Sequence, residues 1–311
     1  MAMPNHMLPV ASGSGKEPGQ EERKLRLYVD FMSQPSRAVV IFSRCNGLPV
    51  EVRQVLIHKG ETRSPAYLSI NPLGKVPLLE DPWVATQITP QQQHGDPQTA
   101  TAAEGCLRLP ESAAIMSYLS YRFPDLVSEN WYPRSDFVAR AQVDSALHWY
   151  QGNIRAGAMR LVFHTVIAPK LGMKADPRVA KEGLNTLKAA LASLESYWLA
   201  AGRRPFMTGP QPCAADLLAA CELEQLRMLP PSPGTYGTGR TTSPAPSLSY
   251  DNGPASAMQE LLAPYPAVRQ WLQRVREVCE PHYGEAHRLI VRAAEAAEAK
   301  AKEGKAQQAK L

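Results

Sequence analysis

The 311-residue sequence predicts an α+β chain in which a small βαβ-α-ββα domain precedes an all-helical domain. Three observations lead there. Leu25, Leu27, Val29 and Phe31 alternate with Arg26, Tyr28 and Asp30, the period of two that marks a half-buried strand. A helical repeat follows through Ala38, Ile41, Phe42 and Cys45, and Val50–Val55 alternates again, so strand, helix and strand fall within about 30 residues. From Ser135 onward the apolar spacing is helical almost to the end.

Met1–Lys24 is expected to be a disordered extension, without the apolar core of a signal peptide. The first domain then spans 25–127. Its helix starts after Ser33, with Pro35 expected at the first helical position and Asn46-Gly47 as the stop. Pro65–Ile70 reads as a short helix, and Asn71-Pro72-Leu73-Gly74 as a turn into a strand over Lys75–Leu79. Pro77 cannot donate to a ladder, which leaves the Val76 backbone open to another partner. Residues 84–106 form a long loop insertion, order resumes at Leu107, and Glu111-Ser112 opens a helix that ends near Phe123-Pro124.

The helical domain is expected over 133–303, with helices at about 135–166, 177–200, 214–229, 265–279 and 285–303. Residues 230–256 are rich in Pro, Gly, Ser and Thr and read as a flexible insertion, and 304–311 as a tail. Cys213 is a poorer helix cap than Ser or Thr would be, and Asp216 lies three residues beyond it.

Several function classes fall away. No apolar run approaches the roughly 18 residues a membrane span requires. The net charge of +5 is spread among acidic residues with no basic-aromatic stripe, which argues against nucleic acid. Five scattered cysteines form no C-x-x-C pair and read as buried or incidental thiols in a reducing compartment; the seven histidines show no ligand spacing, so no metal is expected.

What remains is Ser33, at the join between the first strand and the first helix. Unpaired N–H groups and the positive end of a helix dipole favour an anion there. The plain reading is a helix N-cap. Ser36 is the rival hydroxyl, expected to face solvent or support the helix. A serine-hydrolase reading fails, because Met32 and Gln34 flank Ser33 without a Gly-x-Ser-x-Gly elbow.

The order of motifs resembles the cytosolic glutathione transferases, and among them the theta class. Ser33-Gln34-Pro35-Ser36-Arg37-Ala38-Val39, Asn71-Pro72-Leu73-Gly74-Lys75-Val76-Pro77, Glu111-Ser112-Ala113-Ala114-Ile115 with Tyr118-Leu119, Trp131-Tyr132-Pro133, Ala139-Arg140-Ala141 and Glu285-Ala286-His287 carry the resemblance. It implies a thioredoxin-like first domain, a homodimer, and conjugation of glutathione to small hydrophobic electrophiles, with glutathione as co-substrate and no other cofactor. It also implies roles. Ser33 would stabilise the thiolate with Gln34 beside it, Ser112 would hold the γ-glutamyl carboxylate, and Glu111 would face the ammonium. Val76, ahead of Pro77, would pair with the cysteinyl backbone, while Lys75 and Arg63 would meet the glycyl carboxylate. Arg155 matches a position near the thiol and reads equally as a solvated helix charge. Tyr28 is mid-strand and structural; Trp149, Tyr150 and Phe163 read as core. Reduction of organic hydroperoxides at the same site, or a non-catalytic binding protein of the same fold, are the alternatives. Ala309-Lys310-Leu311 is a variant of the peroxisomal Ser-Lys-Leu address, so cytosol and peroxisome both stand as locations.

Overall fold

The computed structural model describes residues 24–84, 106–230 and 256–308. All but Lys24 of the expected extension at 1–24, nearly all of the loop at 84–106 and of the insertion at 230–256, and the tripeptide 309–311 lie outside them.

The first domain is thioredoxin-like. Strands β1 (Leu25–Val29), β2 (Val50–Gln54), β3 (Leu78–Asp81) and β4 (Leu107–Pro110) form a sheet in the order β2-β1-β3-β4. β1 and β2 run parallel, which requires a crossover, and α1 (Gln34–Cys45) supplies it. β3 lies antiparallel to both β1 and β4. Helices α2 (Pro65–Ile70) and α3 (Ser112–Arg122) complete the unit. β3 starts later than the apolar run suggests, because Val76 and Pro77 stay outside the ladder, joined by a cis peptide bond.

The register fixes where a site can lie. Tyr28 pairs with Leu78 and Leu78 with Pro110, so the exit of β1, the entry of β3 and the exit of β4 meet at one end of the sheet. Ser33, Val76-Pro77 and Glu111-Ser112 follow or precede those three ends.

The helical region contains α4 (Phe137–Tyr150), α5 (Ala156–Val162), α6 (Ala168–Lys170), α7 (Pro177–Ser193), α8 (Ala214–Glu224), α9 (Ala257–Leu262), α10 (Pro266–Cys279) and α11 (His282–Gln308). The helix expected over 135–166 is a longer rod, widened by π-helical turns at Gln151–Arg155 and Phe163–Ile167. Helix α9 was not expected, since it follows a stretch rich in helix breakers. Its start is nonetheless capped on both sides, Ser256 Oγ accepting from the Gln259 N–H and Gln259 Oε1 from the Ser256 N–H.

One apolar core runs through both domains, from Leu27, Val39 and Phe42 to Leu217, Leu218, Trp271 and Leu272. Helices α5 and α7 cross with their backbones touching: a Cβ on Gly157 would stand 2.5 Å from the Leu187 nitrogen, and one on Gly183 would stand 2.8 Å from the Leu161 nitrogen. At the start of α8 Asp216 compensates for the weak cap. Its Oδ2 accepts from the Cys213 N–H at 2.9 Å, and its Oδ1 from the Met207 N–H at 2.9 Å and Trp271 Nε1 at 2.6 Å. At the other end of α8, Arg276 of α10, Arg227 and Tyr283 of α11 all donate to Glu224, whose carboxyl is held well below the usual range despite its burial.

Candidate active site

Asp30, the residue after β1, shapes the turn that presents Ser33. Its Oδ1 accepts from the Met32 N–H and its Oδ2 from the Ile57 N–H, each at 2.8 Å, and its carbonyl accepts from the Ser33 N–H at 2.9 Å. The turn is thereby tied to the chain beyond β2. Ser33 sits at the N-cap of α1 with extended backbone, φ −85° and ψ 122°, and its hydroxyl makes no capping bond to the helix it begins. Pro35 falls one place later than expected, after Gln34. A serine at an N-cap normally accepts from the N–H two or three residues on. Here proline removes the first of those donors, and the second, at Ser36, is not engaged by the Ser33 side chain.

Ser36 corrects an expectation. It is fully buried and its Oγ has no hydrogen-bond partner, so it does not face solvent. Arg37 was overlooked. It is wholly buried, donating through Nη1 to the Phe31 carbonyl at 2.8 Å and through Nη2 to the Cys221 carbonyl at 3.0 Å and Gln225 Oε1 at 2.8 Å. It clamps the turn before Ser33 onto α8.

The second group lies ahead of β3. The Lys75 carbonyl accepts from Tyr67 Oη and Asn71 Nδ2, each at 2.7 Å, which holds the loop before Val76. Tyr28 packs edge-on against Tyr67 at 6.1 Å, the structural role expected of it. Gly74, at φ 58°, lies so close to Arg63 that a Cβ there would stand 2.7 Å from Arg63 Nη1. The exposed Arg63 guanidinium, ahead of α2, therefore lies against the loop after α2 that carries the exposed Lys75 side chain.

The third group follows β4. Glu111 is exposed and has φ 70° and ψ 113°, a backbone unfavourable for any residue with a Cβ. Ser112 is buried as the first residue of α3, beside the unpaired amides of that helix start. The sheet end thus gathers Ser33, Gln34, Arg63, Lys75, Val76, Pro77, Glu111 and Ser112: two helix N-termini, two cations and a carboxylate around the Val76-Pro77 segment that precedes β3.

Arg155 belongs to a different cluster. It lies in the first π turn and donates through Nη1 to Glu222 Oε2 at 2.8 Å, the same oxygen that accepts from Tyr150 Oη at 2.9 Å. Burial works against the Arg155 charge, but Glu222 and Tyr150 outweigh it and raise its pKa. Burial pushes the Glu222 carboxyl up against the pull of Arg155, and Glu222 Oε1 has no partner. Since Glu222 follows Cys221, whose carbonyl Arg37 holds, this cluster is joined by one clamp to the turn that carries Ser33. Arg155 keeps 27% of its side chain exposed, so it is neither a wholly solvated charge nor a buried one. Among the described residues no group of three or more His, Cys, Asp and Glu is placed to hold a metal ion, and no helix is long and apolar enough to cross a membrane.

Residues 33–121 match the family model described as the glutathione S-transferase N-terminal domain. The chain is 33% identical over 272 residues to glutathione S-transferase T1 of Arabidopsis thaliana, covering 88% of this chain and 91% of that protein. It is also 33% identical over 273 residues to glutathione S-transferase theta-1 of Homo sapiens, covering 86% and 90%. Among solved structures, human glutathione transferase theta-2 in complex with glutathione and an unknown ligand is similar at a TM-score of 0.64 and 32% identity, over 89% of this chain and 91% of that one. With a thioredoxin-like sheet, a helical second half and these similarities in hand, the chain belongs to the glutathione S-transferase family. Within the family it falls in the theta class, and it is a glutathione transferase.

Proposed function

We propose that this transferase joins the glutathione thiolate to small hydrophobic electrophiles, with the Ser33 hydroxyl donating to that thiolate and no general base taking part. The observation that carries the reading is the unengaged hydroxyl: Ser33 occupies an N-cap without capping. A free thiol titrates near 8.5, and bringing it to about 6.5 takes about 2.7 kcal/mol. A hydrogen bond to a charged group contributes roughly 1.5–3 kcal/mol and a helix N-terminus about 0.3–1, so hydroxyl and helix together suffice.

The rest of the sheet end fits the tripeptide. Ser112 with the α3 amides suits the γ-glutamyl carboxylate, Glu111 its ammonium, the Val76 edge the cysteinyl backbone, and Lys75 with Arg63 the glycyl carboxylate. Arg155 would stand on the electrophile side, oriented by Glu222. A homodimer is part of the proposal. Phe137 and Val138 at the start of α4 are 73% and 53% exposed, and Tyr121 of α3 is 49% exposed, an apolar surface suited to a second copy.

The test is glutathione-dependent thermal stabilisation of the intact protein together with conjugation rates on a haloalkane and an epoxide. Stabilisation with turnover is the expected result. No stabilisation at millimolar glutathione would indicate a non-catalytic protein, and turnover confined to cumene hydroperoxide would replace conjugation with peroxide reduction.

A further inference from the structure

Two of the five cysteines stand together across the domain boundary. Cys45 is the last residue of α1, the helix that Ser33 begins, and Cys279 is the last residue of α10 in the helical region. They are 234 positions apart in sequence, yet Cys45 Sγ lies 3.9 Å from the Cys279 carbonyl oxygen, which brings the two residues side by side. The neighbourhood is braced. Arg44 Nη1 donates to Glu285 Oε2 of α11 at 3.0 Å, one residue before Cys45 and six after Cys279.

The two thiols are not equivalent. Cys45 is partly exposed, open to a small oxidant, whereas Cys279 is buried behind it. The Cys279 S–H donating to a Cys45 thiolate holds the Cys45 pKa down, against burial and the nearby Glu280, and the same contact pushes Cys279 up. An accessible sulfur inclined to ionise beside a shielded protonated one is the arrangement of an attacking and a resolving thiol. Two of the other three lack it. Cys213 is buried on Asp216 and Cys221 is buried under Arg37, and burial pushes both thiols up.

We propose that Cys45 and Cys279 form a reversible disulfide, driven by hydroperoxides, that staples the end of the site-bearing helix α1 to α10. In the first step the Cys45 thiolate attacks the terminal peroxide oxygen. An S–O bond forms, the O–O bond breaks, and the leaving alkoxide takes up the thiol's proton, giving a Cys45 sulfenic acid and an alcohol, or water from hydrogen peroxide. In the second step the Cys279 sulfur attacks Cys45 Sγ, the S–S bond forms, the S–O bond breaks, and hydroxide leaves with the Cys279 proton as water. Two thiols are oxidised by two electrons and one peroxide is reduced. Two equivalents of glutathione reverse the bridge by thiol–disulfide exchange and leave as glutathione disulfide.

The test uses the full-length protein treated with one equivalent of hydrogen peroxide, then non-reducing proteolytic mapping and intact mass. The expected result is a peptide linking Cys45 to Cys279 and a mass loss of about 2 Da, both reversed by excess thiol. Cys279→Ser should stop at a Cys45 sulfenic acid that dimedone captures, and Cys45→Ser should give neither product. A wild-type protein in which Cys45 is captured by dimedone or advances to sulfinic acid with no linked peptide would overturn the proposal. So would a bridge from either residue to Cys106, or no oxidation of Cys45 at all.

Discussion

His287 sets the sharpest pH dependence expected of the folded chain. It lies on α11 with 2% of its surface exposed, its Nδ1 is 2.8 Å from the Tyr283 carbonyl, and its Nε2 has no partner. The charges that act on it come from every side: Arg37 on α1, Glu224 on α8 and Arg276 on α10. Burial first, then Arg37, pushes its pKa down to about 3. In the unfolded chain the same imidazole titrates near 6.5. Between those values the unfolded state binds a proton that the folded state does not, so stability is full above about 6.5 and falls as pH falls through the window. From pH 7 to pH 5 the loss attributable to this one group is about 2 kcal/mol. Glu224 acts lower: with its pKa held down, its contribution is present above about 4.5 and is lost only below that, outside the interval measured. The variant is His287→Gln, whose amide can still donate to the Tyr283 carbonyl but cannot titrate. Urea unfolding of wild type and variant at pH 7, 6 and 5 reads the difference. The wild type should lose about 2 kcal/mol more than the variant over that range. Parallel pH profiles would refute the reasoning.

Three other substitutions carry definite outcomes. Glu111→Gly relieves a backbone at φ 70° and should stabilise the protein by about 1 kcal/mol while weakening glutathione binding in calorimetry; a variant that is no more stable would refute the strain. Gly157→Ala puts a Cβ 2.5 Å from the Leu187 nitrogen and should cost about 2 kcal/mol or more in denaturant unfolding, whereas Gly152→Ala, in open space, should lose none through a clash. Asp30→Ala leaves the Met32 and Ile57 N–H groups unpaired and should cost about 1–3 kcal/mol for each one that stays buried, with a rise in the KM for glutathione as the Ser33 turn loosens.

The sheet and its site end were legible because their signals are local. Alternation from Leu25 to Phe31, the helical repeat after Ser33 and the turn at Asn71–Gly74 each lie within a few residues. The register then does what no local signal can, bringing Ser33, Val76 and Ser112 to one end of the sheet. Partners far apart in sequence were invisible. Arg37 reads as an ordinary helix charge until its bond to Gln225, 188 positions away, is seen; its one hint was its place on the face of Ile41, one turn on. Glu222 gave less, a carboxylate in an alanine-rich helix whose partners come from the π turn at Arg155 and from Tyr150. Of the two roles expected of Ser36, facing solvent fails because α1 is buried on more of its circumference than a surface helix, from Ser36 through Ser43.

The most direct measurement is the titration of glutathione's thiol, followed by thiolate absorbance in the ultraviolet, bound to wild type, Ser33→Ala and Ser36→Ala. With Ser33 as the donor, the bound thiol should titrate near 6.5 in wild type and Ser36→Ala, and return to about 8 in Ser33→Ala. An unchanged pKa in Ser33→Ala, with a rise in Ser36→Ala, would contradict that role for Ser33.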